Sequence, residues 1–253
     1  MKPKHGQHFL IDQRVLNRII GYAGLTKADT VLEIGGGTGN LTLKLKEAAG
    51  KVIVIELDRQ LAVGLTHITR GSNVTVLQGD ALEIPLPGFN KVVANLPYQI
   101  SSKITFRLLR HSFDLAVLMY QLEFANRMIA SPGTPDYSRL SVMAQYFARI
   151  ELLETVPPSA FKPRPAVRSA ILVLTPREPP YHVNNIGFFE KFLKAVFGQR
   201  RKMLRKSLRL AAPMLGIAPE NLDKVDQGIL KMRPESLTPE ELAALANRIR
   251  AGI

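Results

Sequence analysis

The sequence contains no cysteine. Disulfide bridges, thiolate metal sites and a cysteine nucleophile are therefore excluded. No stretch reaches the roughly 20 apolar residues that a membrane-spanning helix needs, and the N-terminal segment lacks the apolar core of a signal peptide. Internal repeats and low-complexity tracts are absent as well. We therefore expect a cytoplasmic protein that does not span a membrane.

Acidic side chains are scarce relative to basic ones. The 253 residues include 34 Lys and Arg but only 21 Asp and Glu, which gives a net charge of +13. The segment from Lys191 to Arg209 contains eight basic residues and no acidic one. A broad positive potential attracts polyanions, so nucleic acid is the first expected partner and an anionic membrane surface the second. A hydrophobic content of 46% with 22% charged residues excludes a wholly disordered or fibrous chain.

Short β-branched runs alternate with amphipathic stretches over most of the chain. Several of the early runs are continuously apolar, which is typical of strands covered on both faces. The order β-α-β-α predicts an α/β fold of the Rossmann-like, doubly wound type, with a mostly parallel seven-stranded sheet. The predicted strands are Val31–Ile34, Val52–Leu57, Val74–Gln78, Lys91–Ala94, Leu115–Tyr120, Tyr146–Val156 and Val167–Leu174.

A proline-rich segment from Thr175 to Tyr181 is interpreted as a linker, because proline interrupts regular structure. We expect a large domain over residues 1–178 and a small helical domain over residues 179–253. Thr238 to Glu241 form a capping box with proline at the first helical position. Two apolar helix faces are predicted in the small domain: Ile186, Phe189, Phe192, Leu193 and Val196, then Leu242, Leu245, Ala246 and Ile249.

A glycine-rich turn follows the first predicted strand, with the sequence VLEIGGGTGN over residues 31–40. Glycine lets the backbone approach a ligand closely, and the helix that follows offers unpaired amides. The spacing from Gly35 to Gly39 is G-x-G-x-G, which differs from the G-x-G-x-x-G of the dinucleotide-binding fingerprint. By itself the turn fits either a nucleotide ligand or a tight connection without one.

Polar residues also follow the next three predicted strands. Glu56 ends the second strand, where an acid can accept hydrogen bonds from both ribose hydroxyls of an adenosine moiety. Asp80 follows the third, where a carboxylate can meet the amino group of an adenine ring. Asn95 to Tyr98 follow the fourth. The carboxyl ends of parallel strands form the ligand-binding edge of such sheets, so these features together predict a site for an adenosine-containing cofactor.

The tetrapeptide Asn95-Leu96-Pro97-Tyr98 has the most specific chemistry. An adenine amino nitrogen is a poor nucleophile, so a site that methylates it needs acceptors that hold its hydrogens in place. The side-chain oxygen of Asn95 and the backbone carbonyl of Leu96 can act as those acceptors, with Pro97 fixing the local backbone. Tyr98 offers a face on which an extruded base can stack.

These motifs resemble those of the ribosomal RNA adenine N6-dimethyltransferases, the KsgA-type enzymes among the class I S-adenosylmethionine-dependent methyltransferases. The resemblance extends over nearly the whole chain and includes the segment Gly6 to Leu10. Two departures are His8, where a polar residue such as Asn is usual, and Gly36, where proline is frequent. The cofactor-binding residues that the resemblance implies are His8, Leu10, Gly35, Gly37, Glu56, Asp80, Ala81 and Asn95.

The resemblance also implies two further sets of residues. Phe161, in the segment ending at Ser169, would close on the target base from the side opposite Tyr98, giving a stacking pair. A basic set would contact RNA phosphates: Arg200, Arg201, Lys202, Arg205 and Lys206. Because the first three are adjacent, we expect them to spread around a helix, some meeting phosphates and others pairing with local acids. Glu123 and Arg127 could have a site role, but a simple helix-surface pair is the favoured interpretation.

The resemblance implies dimethylation of the exocyclic N6 of two adjacent adenosines near the 3′ end of small-subunit ribosomal RNA, with a role in ribosome biogenesis. The expected partner is that RNA or an assembling small subunit, and the expected state is a monomer without a metal or a membrane partner. Two alternatives stay open: methylation of large-subunit ribosomal RNA, and a catalytically silent RNA-binding assembly or transcription factor on the same fold.

Overall fold

The computed structural model describes residues 7–217, 222 and 225–250. Its strands are β1 Phe9–Leu10, β2 Thr30–Ile34, β3 Lys51–Glu56, β4 Val74–Gln78, β5 Lys91–Asn95, β6 Leu115–Gln121, β7 Ala148–Val156, β8 Phe161–Lys162 and β9 Ser169–Pro176. Its α-helices are α1 Gln13–Ala23, α2 Asn40–Ala48, α3 Arg59–Ile68, α4 Ser101–Leu108, α5 Leu122–Ile129, α6 Arg139–Phe147, α7 Ile186–Phe197, α8 Leu204–Leu215, α9 Gln227–Lys231 and α10 Pro239–Arg250.

The main sheet has seven strands in the order β4-β3-β2-β5-β6-β9-β7. The pairs from β4 to β6 are parallel, whereas β9 runs antiparallel to both β6 and β7. The chain leaves β2 towards β3 and β4 and returns to pair β5 on the other side of β2. This reversal creates a crevice at the carboxyl ends of β2 and β5, where open α/β sheets bind ligands. The predicted fold class is confirmed.

All seven predicted strands are present, with small errors at their ends. Leu57 lies beyond β3, and Val167 precedes the start of β9. Tyr146 belongs to α6 and not to β7. Its side chain is buried and makes an edge-on ring contact with Phe147 at 5.1 Å. An apolar run of this kind continues from a helix into a strand without a break in hydrophobicity, so periodicity does not locate the junction.

The described residues form two compact units. Unit 1 contains the residues up to Ala125 together with Ala148–Pro176, and unit 2 contains Asn126–Phe147 and the residues from Arg177 onwards. The division therefore differs from the one expected at residues 178 and 179. Residues 126–147 belong to unit 2 because they form hydrogen bonds with its C-terminal residues. For example, the Gly133 amide donates to the Glu235 carbonyl at 2.7 Å.

Unit 1 is built around the sheet, and unit 2 consists of helices. In unit 1 the central strands are almost fully buried; Val31, Val52 and Val93 are each 0% exposed. In unit 2 the predicted apolar faces of α7 and α10 are buried except for Ile186, which begins α7 and is 37% exposed. None of the helices in the described part of the chain combines the length and the apolar character that a bilayer crossing requires.

The capping box of α10 is present as predicted. The Thr238 amide donates to a Glu241 carboxylate oxygen at 2.8 Å, and the Glu241 amide donates to the Thr238 hydroxyl at 3.2 Å. This reciprocal pair satisfies two amides that would otherwise lack partners at the start of the helix. It orients a helix whose inner face, from Leu242 to Ile249, packs within unit 2.

Candidate active site

A cleft opens at the carboxyl ends of β2 and β5, in unit 1. It brings together residues from the N-terminal segment, the glycine turn and the first turn after β5, which are far apart in the sequence. Nine of the predicted site residues line it: His8, Leu10, Gly35, Gly37, Glu56, Asn95, Leu96, Pro97 and Tyr98. The lining also includes residues that the sequence analysis did not select: Gln7, Phe9, Glu33, Gly36, Thr38, Asn40 and Leu41.

The glycine turn packs closely against both walls of the cleft. Gly35 and Gly37 have φ values of +77° and +56°, in the left-handed region that favours glycine. A Cβ atom on Gly35 would lie 3.2 Å from the Pro97 ring, and one on Gly37 would lie 2.9 Å from Phe9. A side chain at either position would collide with these neighbours, so the close packing and the positive φ values both favour glycine here.

Gly36, one of the two departures from the family pattern, has a different reason to be glycine. A Cβ atom there would lie 2.5 Å from a methyl carbon of Val54 and 2.9 Å from one of Leu65, both buried beneath the turn. The backbone at this point therefore rests directly on the core, and this packing leaves no room for a larger residue. The departure removes no polar group from the cleft.

Glu56 is fixed at the base of the cleft by the backbone around it. One carboxylate oxygen accepts from the Gly37 amide at 2.9 Å, and the other accepts from the Asp58 amide at 2.9 Å. The side chain is only 5% exposed, yet it lines the cleft. Each carboxylate oxygen can accept more than one hydrogen bond, so the residue suits the predicted role of holding a pair of ribose hydroxyls.

Glu33 is a second carboxylate in the cleft, and sequence reasoning missed it. It is 1% exposed and accepts a hydrogen bond from the Thr42 hydroxyl at 2.6 Å. Burial raises the pKa of Glu33 to about 8, the Thr42 bond opposes this shift, and the nearby charge of Glu56 adds to it. The available signal was a single acid inside an otherwise apolar strand, since a charged side chain is rarely buried without a function.

Asn95 has a fixed orientation at the end of β5. Its Nδ2 donates to the His8 carbonyl oxygen at 3.2 Å, and only the amide nitrogen can make this bond. The opposite atom, Oδ1, is buried and has no hydrogen-bond partner among the described residues. A buried acceptor without a partner is costly, at about 1–3 kcal/mol. Its position in the cleft indicates that a ligand supplies the missing donor.

Tyr98 and His8 form the wall beside Asn95. Their ring centroids are 5.9 Å apart with the planes tilted by 33°. The Tyr98 hydroxyl lies 2.7 Å from the Ser169 hydroxyl, and His8 Nδ1 lies 2.9 Å from the Pro163 carbonyl oxygen. Because a carbonyl can only accept, Nδ1 of His8 has the proton. Both rings are held at their edges, which leaves their faces available for packing against a flat ligand.

The N-terminal strand is held over the glycine turn by two sets of bonds. β1 pairs with β8 in antiparallel register, with Leu10 opposite Phe161. The Asn40 side chain donates to the Leu10 carbonyl at 2.8 Å, which ties β1 to the start of α2. Phe9 therefore packs on the cleft side of this strand, a contact that no short sequence motif predicts.

Phe161, the second predicted stacking residue, is buried in unit 1. Its side chain is 2% exposed and packs in the core with Leu10 and Ala160, and it is not part of the cleft lining. Phe161 lies opposite Leu10 in the pairing of β8 with β1, and both side chains are buried. The role of Phe161 in stacking on a base beside Tyr98 stays a prediction.

Asp80 and Ala81 lie at the expected edge of the sheet but outside the cleft lining. The Asp80 carboxylate accepts from the Leu82 amide at 2.8 Å, and the Ala81 carbonyl accepts from the Arg107 guanidinium. The register pairs Glu56 with Gln78, so Asp80 follows two residues beyond the strand end next to Glu56. Both residues remain candidates for the adenine end of a cofactor.

The predicted RNA-contacting residues all lie in unit 2, but not on one helix. Arg200 to Lys202 lie in the turn between α7 and α8, so the expectation that they spread around a helix is wrong. Arg200 donates to the Pro135 carbonyl at 2.7 Å and lies 3.6 Å from the Glu235 carboxylate. Within α8, Arg205 donates to the Gln227 side chain at 3.0 Å, whereas Lys206 is exposed.

Across the described residues, no cluster of three or more His, Asp or Glu side chains has the arrangement of a metal site. The cleft contains uncharged acceptors, aromatic rings and two carboxyl groups. These groups are suited to bind an adenosine-containing molecule. The unpaired Asn95 oxygen lies at the end of β5, on the wall formed with Tyr98.

Comparison with known proteins assigns the chain to a family. Residues 1–247 match the family described as "Ribosomal RNA adenine dimethylase". The chain belongs to the ribosomal RNA adenine dimethylase family. The family that the sequence motifs indicated is therefore confirmed.

Several known proteins are similar to the chain over nearly its whole length. The chain is 49% identical to the "Probable ribosomal RNA small subunit methyltransferase A" of Methanosarcina mazei, covering 96% of this chain and 91% of that protein. Among solved structures, a dimethyladenosine transferase from Plasmodium falciparum matches with a TM-score of 0.83 at 31% identity, covering 97% and 98%. The 23S rRNA methyltransferase ErmE matches with a TM-score of 0.69 at 31% identity, covering 96% and 99%.

Proposed function

We propose that this chain transfers methyl groups from S-adenosylmethionine to the exocyclic N6 of two adjacent adenosines near the 3′ end of small-subunit ribosomal RNA. Membership of the dimethylase family supports the reaction and the cofactor. The higher identity to the Methanosarcina mazei small-subunit relative than to ErmE, 49% against 31%, favours the small subunit over the large one. The proposed partner is this RNA within an assembling subunit, in the cytoplasm, with the protein as a monomer.

The observation that carries the proposal is the buried Oδ1 of Asn95, which lacks a partner. The bond from Nδ2 to the His8 carbonyl fixes this oxygen as the acceptor that faces the site. An adenine amino group brings two N–H donors, one of which can meet Oδ1 and the other the Leu96 carbonyl. Holding both hydrogens orients the nitrogen for attack on a methyl carbon, and such positioning accounts for a large part of many rate accelerations.

Tyr98 presents its ring to the target base in this proposal. Its hydroxyl is tied to Ser169, so the ring has a fixed plane against which a base can stack. Burial raises the pKa of Tyr98, and the Ser169 bond only partly opposes that rise. The hydroxyl therefore stays neutral at physiological pH and does not act as a general base. The proton lost from the amino group passes to water.

The residues of the glycine turn and its neighbours would hold the cofactor. When bound, S-adenosylmethionine supplies the methyl group on a positively charged sulfonium centre. Gly35 and Gly37 line the cleft where the methionine end would lie, and Glu56, which also lines it, would accept from the ribose hydroxyls. His8 and Leu10 cover the site from the N-terminal strand, and Asp80 with Ala81 brackets the adenine ring.

A labelling assay tests the proposed function. Purified protein is incubated with methyl-labelled S-adenosylmethionine and separated ribosomal subunits that lack the modification. We expect label in the small subunit and dimethyladenosine after digestion. Label confined to large-subunit RNA would favour the alternative enzyme, and no label in any RNA would favour the catalytically silent factor.

Asn95 variants test the role of its oxygen in the same assay. Asn95→Ala removes the acceptor and should lower kcat by about 100-fold, the scale expected when a reacting group loses its alignment. Asn95→Asp keeps an acceptor at this position and should retain more activity than the alanine variant. Asn17→Ala, on the exposed face of α1, is the matched control and should behave like the wild type. Equal turnover of Asn95→Ala and wild type would contradict the assigned role.

A further inference from the structure

A second group of basic side chains lies on unit 1, beside the cleft. Lys103, Arg107 and Arg110 are spaced at i, i+4 and i+7, so they follow one face of α4 and its C-terminal turn. They form a shallow surface cleft, which we name the α4 basic cleft, lined by Leu82, Lys103, Phe106, Arg107, Arg110 and His111. None of these described lining residues is acidic. A purely solvated helix face more often mixes the two signs of charge.

Arg107 has a structural function within this surface. Its guanidinium donates to the Ala81 and Ile84 carbonyl oxygens, both in the connection that follows β4. These two bonds fix α4 to the connection that includes Asp80. They also hold the positive charge of Arg107 between Lys103 and Arg110 in the α4 basic cleft. Two neutral carbonyl acceptors do not cancel that charge, so the fixed guanidinium attracts anions to this surface.

Lys103 and Arg110 are exposed on either side of Arg107. The 3-10 turn Tyr98–Ile100 leads directly into α4, so Lys103 follows five residues after the ring that is proposed to stack on the target base. With a rise of about 1.5 Å per residue, Lys103 and Arg110 are roughly 10 Å apart along the helix. The α4 basic cleft thus extends away from the base site over a length greater than one nucleotide.

We infer that the α4 basic cleft binds backbone phosphates of the RNA strand next to the target adenosine, with Lys103 and Arg110 making the contacts. This inference rests on the proposed function, because it takes the base site at Asn95 to Tyr98 as the point where RNA enters. Phosphate contacts fix the register of a bound strand, whereas contacts to the base supply identity. The α4 basic cleft would therefore determine which nucleotide of the RNA reaches Tyr98.

The test compares two double variants that each remove two positive charges. Lys103→Gln with Arg110→Gln alters the α4 basic cleft. Lys51→Gln with Arg70→Gln is the matched control. Lys51 begins β3 and Arg70 precedes β4, so both lie at the amino ends of these strands, away from the carboxyl ends where the cofactor cleft opens, and both are exposed. Binding to unmodified small-subunit particles is measured over a range of salt concentrations, and cofactor affinity and kcat at saturating particle concentration are measured alongside.

Loss of two phosphate contacts should reduce the slope of log affinity against log salt by about 1.4–1.8. The variant of the α4 basic cleft should show this reduction with unchanged cofactor affinity, and the control should keep the wild-type slope. If the salt slope of the α4 basic cleft variant equals that of the control, the inference is overturned. A parallel loss of cofactor affinity also overturns it, because that result assigns the effect to the connection that Arg107 holds.

The design separates this inference from the proposed function. If the variant of the α4 basic cleft shows the reduced salt slope but the wild type transfers no methyl group, the phosphate site stands and the proposed reaction fails. If the wild type dimethylates small-subunit RNA and both variants share its slope, the reaction stands and the phosphate site fails.

Discussion

Glu33 and Glu56 show how neighbouring carboxylates in one cleft come to differ. Both are almost fully buried, at 1% and 5% exposure. Glu56 accepts backbone amide hydrogen bonds at both carboxylate oxygens. Glu33 accepts one from the Thr42 hydroxyl, and burial raises its pKa to about 8. Glu33 is therefore largely protonated near neutral pH in the free protein and adds little negative charge to the cleft.

This protonation makes stability depend on pH. The pKa of Glu33 is raised from 4.5 to about 8, so the folded chain binds a proton that the unfolded chain loses between these values. Its contribution to the free energy of unfolding is fully present below pH 4.5 and is lost as the pH rises to 8, at most about 1.4 kcal/mol per pH unit. Glu33→Gln mimics the protonated side chain and removes this loss.

We expect Glu33→Gln to gain Tm relative to the wild type as the pH rises from 5 to 8, in the absence of cofactor. Glu47→Gln, on the exposed face of α2, is the control and should track the wild type. Thermal unfolding across this pH range measures both. A Tm difference that stays constant with pH would show that Glu33 is already ionised in the folded chain.

At the scale of elements, the two-residue strands β1 and β8 decide how the cleft is closed. In this pair Leu10 and Phe161 are both buried in the core of unit 1, and Phe9 packs against the glycine turn. Two residues per strand provide few backbone hydrogen bonds, so side-chain burial supplies most of the stabilisation of this pair. Phe161 therefore contributes to the site by holding the strand that covers it.

Phe161→Leu separates this packing role from the stacking role that the sequence predicted. A change of shape in the core usually costs less than about 1.5 kcal/mol, whereas loss of a stacked aromatic costs about 1–3 kcal/mol of interaction with the base. We expect a modest fall in Tm and a kcat for methyl transfer close to that of the wild type. Phe113→Leu, another buried phenylalanine of unit 1, should lose similar stability. A tenfold fall in kcat confined to Phe161→Leu would instead favour stacking.

At the scale of the whole molecule, the excess of positive charge is shared between the two units. Unit 1 has the α4 basic cleft, and unit 2 has the basic turn and helix from Arg200 to Arg209. Some of these side chains have internal partners, as Arg200 does with Pro135 and Glu235. Others, such as Arg201 and Lys206, are exposed. We expect only the exposed ones to release counterions when RNA binds.

Arg201→Gln with Lys206→Gln should therefore weaken binding to small-subunit particles and lower the salt slope by about 1.4–1.8, with unfolding unchanged. Arg200→Gln should change the slope less and lower the Tm of unit 2, because it removes a carbonyl contact and an ion pair. Filter binding and thermal unfolding of both variants measure these effects. Identical salt slopes for the wild type and the double variant would return these residues to an ordinary solvated surface.

Local chemistry was enough to predict much of this protein. The strands, the glycine turn, the capping box at Thr238 and the Asn95–Tyr98 motif depend on residues close together in the chain, and each is present in the structure. Their order along the chain also predicted the edge of the sheet at which the cleft lies, because parallel strands bring their carboxyl ends to one side.

Tertiary structure alone decided the features that depend on distant partners. Phe161 lies opposite Leu10, some 150 residues earlier in the chain, and both side chains are buried. Residues 126–147 belong to unit 2 because Gly133 bonds to Glu235. The raised pKa of Glu33 arises from burial, and the bond to the distant His8 carbonyl fixes the unpaired oxygen of Asn95. The sequence by itself determined which groups the site contains, whereas long-range packing decided which of them face the ligand and in what state of charge.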